Sequence, residues 1–78
     1  MTYVGIAFSR EHGGRRNEYG IWKTEHGDLF TRYQGYRKGD VQVGVPLGGP
    51  HAAHLQPLTA FKREHYESVT FFNTPKEP

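Results

Sequence analysis

The chain has 78 residues, enough for one small domain that buries roughly 60 % of its unfolded surface. It holds no cysteine, which excludes disulfide staples, thiolate metal sites and thiol catalysis. Ten Lys and Arg against eight Asp and Glu leave a formal charge of +2, a mild basicity far from that of a histone-like tail.

Residues 2–9 alternate, with Val4, Ile6 and Phe8 on one side and Tyr3, Gly5 and Ala7 on the other, the pattern of a half-buried strand. Residues 10–17 form a polar loop broken by Gly13 and Gly14. Residues 18–24 resume the alternation, with Tyr19 and Ile21 opposite Trp22, as a second strand. The turn 25–28, Glu-His-Gly-Asp, has hairpin chemistry. A third strand is expected over 29–34, a glycine-bearing basic turn over 35–40, and a fourth strand over 41–45. Turn signals at this spacing suggest an antiparallel meander.

After Val45 the run Pro46-Leu47-Gly48-Gly49-Pro50 cannot continue a central strand, because proline lacks the ladder N–H. Residues 51–56 suit a helical turn. Residues 57–66 suit a short helix, and an extended course fits them nearly as well. A last strand is expected over 67–72. The fold expected is mainly β, with a β-rich α+β arrangement as the variant: a small antiparallel meander or open curled barrel of about five strands and at most one short helix. Its domain spans 1–72, followed by a flexible tail over 73–78. Val4, Ile6, Phe8, Ile21, Trp22, Leu29 or Phe30, Val41, Val43, Val69 and Phe71 are the expected core.

A meander brings alternate loops to the same end of the sheet. The loops 10–17 and 35–40 then share one end, which gathers Arg15, Arg16, Arg37 and Lys38 with Arg32, Tyr33 and Tyr36 close by. Cations neutralise phosphates, while aromatic rings and guanidinium planes stack on bases. Arginines and lysines also decorate the loops of most soluble proteins, and a net charge this small is below the usual nucleic-acid footprint. A weaker constellation is His26 with His51 and His54, whose i, i+3 spacing puts two imidazoles on one side of a helical turn, as a metal site would need. The residues between that pair are alanines, without the glutamate of the familiar helical zinc motif.

Catalysis has little support. Ser9 and Ser68 lack a nucleophile-elbow context, and the Gly-Gly pairs lack the Lys-Ser/Thr of a phosphate loop. The expectation is a non-enzymatic binding module without a cofactor, contacting nucleic acid or a nucleoprotein through its basic, tyrosine-flanked end. The alternative is a small inhibitor or adaptor of phage or mobile-element type, for example anti-CRISPR-like, that occludes a protein target. That alternative rests on size and on the absence of catalytic residues. A homodimer would add burial. The first nine residues lack the basic region of a signal peptide, and no run approaches the ~20 apolar residues of a membrane span, so a cytoplasmic protein with no membrane partner is expected.

Overall fold

The computed structural model describes residues 1–43 and 58–76. Alternating segments form β1 (Thr2–Phe8), β2 (Arg15–Lys23), β3 (Leu29–Lys38) and β4 (Val41–Val43), each antiparallel to the one before. The chain returns with β5 (Thr59–Ala60), a 3-10 turn (Arg63–His65) and β6 (Ser68–Lys76). The sheet order is β4-β3-β2-β1-β6, with β5 on the same edge of β3 as β4 but nearer its start. The fold is therefore mainly antiparallel β in one open sheet, as the alternation implied. It has six strands where about five were expected. The extra one, β5, falls in the segment read as short helix or extended chain, and only the 3-10 turn there is helical.

Two breaks in register decide which side chains meet. In β1 the pairing shifts between Tyr3 and Gly5, against both β2 and β6. An extra residue reverses the parity of every side chain beyond it. Val4 consequently joins Ala7 and Ile21 in the buried cluster, while Tyr3 packs on Trp22 on the opposite face, their rings 5.0 Å apart. The simple alternation of Val4, Ile6 and Phe8 is thus corrected. Ala7 is fully buried, and Ile6 and Phe8 are half-buried.

Over the Val4–Ala7–Ile21 cluster lie Tyr19, Leu29, Phe61, Tyr66 and Val69. Phe61 and Tyr66 arrive on the segment that crosses the sheet from β5 to β6, and their rings stack at 5.8 Å. A hydroxyl relay secures this crossing. Tyr66 donates to Thr31 Oγ1 at 3.0 Å, and the Thr31 and Thr59 hydroxyls share a hydrogen bond of 2.9 Å. Thr31 is fully buried in the sheet, and the relay satisfies it. Leu29 faces this core, whereas Phe30 pairs with Trp22 on the other face.

Three expected core residues are exposed: Val41, Val43 and Phe71, the first at 63 %. β4 pairs only with the last three residues of β3, beyond the crossing segment that starts at its other end. Phe71 sits on the outermost strand, with Phe61 as its one ring neighbour among the described contacts. β6 runs past Phe72 to Lys76, so residues 73–76 belong to the sheet and not to the tail. The Gly/Pro-rich run from Pro46 and the helical turn expected over 51–56 lie outside the described residues.

Close approach of β6 to β1 requires a glycine at position 5. A Cβ there would stand 2.6 Å from the Thr70 carbonyl oxygen, a backbone atom that cannot swing away. Gly5→Ala is expected to lower stability by about 1–3 kcal/mol, the usual cost of overpacking. Ile21→Ala should cost about 2–5 kcal/mol. Urea-unfolding midpoints check both, and an unchanged midpoint for Gly5→Ala would contradict the β1–β6 spacing.

Candidate functional site

The turn at Gly13–Gly14 starts β2 at Arg15, with His12 and Arg15 exchanging backbone hydrogen bonds of 2.9 and 3.2 Å. β3 correspondingly runs to Lys38 and turns at residues 39–40. Both expected loops are shorter than the sequence suggested, because strand pairing absorbs their basic residues. Those residues become cross-strand partners: Arg15 stands opposite Lys38, and Arg16 opposite Arg37. Side chains directly opposite in an antiparallel pair have Cβ atoms about 5 Å apart, and like charges there repel. Two such rungs lie side by side at this end of the sheet.

The second register break lies between Asn17 and Tyr19 in β2. There Gln34 and Gly35 of β3 together oppose Glu18. Gly35 has φ of +106°, a conformation that side-chain-bearing residues rarely adopt. Tyr33 pairs with Tyr19 and Tyr36 with Asn17. Tyr33 and Tyr36, three residues apart, would face opposite ways on a regular strand. The bulge puts both on one face, together with Arg15 and Lys38. Arg16, Arg37 and Arg32 fall on the other face. The seven residues expected at the site therefore share one end of the sheet but divide between its two sides.

On the first face the Arg15 guanidinium carbon lies 3.8 Å from the centre of the Tyr36 ring, and Arg15 itself is exposed. Tyr33 meets Tyr19 edge-on at 5.6 Å. On the second face Arg16 covers Phe8 at 4.9 Å and Arg32 covers Trp22 at 5.6 Å. Arg32 is half-buried, and Trp22 is only 5 % exposed, so neither offers a free planar surface.

Glu18 is the residue whose role the sequence concealed. Instead of pairing with the arginines near it, its carboxylate turns inward and is 3 % exposed. It accepts hydrogen bonds from the Gln34 and Gln42 side-chain amides, each at 2.7 Å. Gln34 also donates to the Tyr3 hydroxyl at 3.1 Å. Arg37 donates to the main-chain carbonyl of Asp40 at 3.4 Å, leaving that carboxylate unused by it. Among the described contacts, the partners of Arg15, Arg16 and Arg37 are rings and carbonyls, with no carboxylate bonded to them. In the sequence Glu18 follows Arg15-Arg16-Asn17, and nothing there signals a partnership with Gln34 and Gln42, which lie 16 and 24 residues away.

His26 lies exposed in the turn between β2 and β3. His51 and His54 lie outside the described residues. Among the described residues no three His, Asp or Glu side chains converge as metal ligands would, and no helix is long and apolar enough to cross a membrane.

Burial raises the Tyr3 phenol above the ordinary value of 10.0; the Gln34 hydrogen bond opposes the shift and the nearby Glu18 charge adds to it. Tyr19 is raised chiefly by burial as well, with Tyr66 adding to it. A phenol whose folded-state pKa exceeds the unfolded one stabilises fully below the unfolded value, and the contribution is lost as pH rises through the folded one. Stability is therefore expected to decline above about pH 10. Tyr3→Phe should start from a lower baseline, having lost the Gln34 contact, and decline less steeply. An equally steep decline in urea midpoint would refute the role of Tyr3.

The chain matches no family model, no curated protein and no solved structure in the three comparisons made.

Proposed function

We propose that the end of the sheet carrying Arg15, Arg16, Arg37 and Lys38 is a non-enzymatic site for the phosphates of nucleic acid. The observation that supports this most is the pair of adjacent like-charge rungs, Arg15 opposite Lys38 and Arg16 opposite Arg37. Like charges facing across a sheet cost stability. Their repulsion falls when anions enter between them, and a phosphodiester backbone supplies anions at close, regular spacing. The inward-turned Glu18 strengthens the reading, because its charge is held by two amides and not by the cations.

A second reading has its own observation. β6 is an outermost strand, and Phe71 on it is 51 % exposed, so a protein partner could pair with that edge. Binding of that kind depends little on salt.

Fluorescence anisotropy against labelled DNA and RNA at 50 and 200 mM salt separates the two. Four phosphate contacts predict affinity falling about 50- to 150-fold over that interval. No binding at the lower salt would remove the nucleic-acid reading. Arg37→Glu with Lys38→Glu should abolish binding while turning both repulsive rungs into attractive ones. Its unfolding midpoint is expected to hold or rise, each opposite-charge rung being worth about 0.2–1 kcal/mol. Undiminished affinity in this variant would place the site elsewhere.

A further inference from the structure

We infer that the ligand is single-stranded and that its bases stack on the face bearing Arg15, Tyr36 and Tyr33, an inference that rests on the phosphate-binding reading above. The Arg15 guanidinium carbon lies over the Tyr36 ring at 3.8 Å from its centre, close enough for the two planes to stack. Its outer side is open to solvent, because Arg15 is exposed. A nucleobase added there makes a third layer, and both guanidinium planes and aromatic rings stack on bases regardless of sequence. Tyr33 belongs to the next paired position on the same face, about 7 Å along the strand from Tyr36 at the usual strand rise. Tyr33 and Tyr36 are each half-buried, which leaves part of each ring accessible, and aromatic residues at successive positions of a sheet can stack two or three splayed bases.

The two faces are not equivalent. The Tyr36 face pairs a cationic rung, Arg15 with Lys38, directly with rings, and its paired residues up to Tyr19 and Tyr33 include no carboxylate. The opposite face has Glu18 at the corresponding level, and the ring under Arg32 belongs to buried Trp22. Arg16 and Arg37 therefore follow phosphates along the sheet end, and Arg32 takes no part in binding. Single strands are favoured because duplex bases already cover one another's faces, leaving none to meet Arg15.

The test compares an oligothymidylate and an oligouridylate of about 12 nucleotides with an abasic strand of equal length and with a matched duplex. The wild-type protein should bind the base-bearing strands at least about 5-fold more tightly than the abasic strand, and more tightly than the duplex. Arg15→Lys keeps the charge and removes the plane, so it should erase the preference for bases while leaving abasic affinity in place. Tyr36→Leu should do the same, with circular dichroism confirming an intact sheet. Arg16→Lys should leave the preference intact. Equal affinity of the wild type for base-bearing and abasic strands, or a preference for duplex, overturns the stacking inference and leaves the phosphate site standing. Failure to bind any strand overturns both.

Discussion

Everything distinctive about this sheet depends on two places where its register slips by one residue. The first, between Tyr3 and Gly5, lets Val4 and Ala7 share the buried side with Ile21. It also frees Tyr3 to lie against Trp22 on the other side. The second, opposite Glu18, turns Tyr36 to the side already occupied by Tyr33 and sets Gln34 beside the Glu18 carboxylate. Without the second shift Tyr33 and Tyr36 would lie on opposite faces. A bulge costs ladder hydrogen bonds, and here it is accompanied by three side-chain hydrogen bonds that link Tyr3, Glu18, Gln34 and Gln42, while the Gln34 Oε1 stays buried without a partner.

The strand content was legible in the sequence because alternation and turn residues report it directly. Thr2, Leu29 and Val41 start strands where the pattern puts them. The shared end of the two basic segments was legible too, since it follows from meander topology alone. What the pattern could not convey was parity. A strand read residue by residue assumes an unbroken period of two, and each bulge falsifies that assumption for all that follows. Hence plain alternation puts Ala7 outside and Phe8 inside, and sends Tyr33 and Tyr36 to opposite faces. The exposure of Val41 and Val43 was hidden for a different reason, because it depends on where a segment some twenty residues later crosses the sheet.

Charge at the basic end is organised by absence of neutralisation more than by number. A net charge of +2 says little about partners. Two like-charge pairs on opposite sides of one sheet end, with Glu18 committed to glutamine amides, make a local field that the total does not describe.

The segment crossing the sheet has a separate consequence. It is held by a two-residue strand, three linked hydroxyls and the rings of Phe61 and Tyr66, while the strands of the meander beneath it pair with one another independently of it. Few contacts and a self-sufficient foundation define a unit that opens by itself, at a free-energy cost below that of global unfolding. Such an opening uncovers Ile21 and Ala7 without dismantling the strands on which Arg15 and Tyr36 are displayed. Lys62 and Arg63 lie exposed on this span, so its opening would also offer a trypsin-like protease a place to cut.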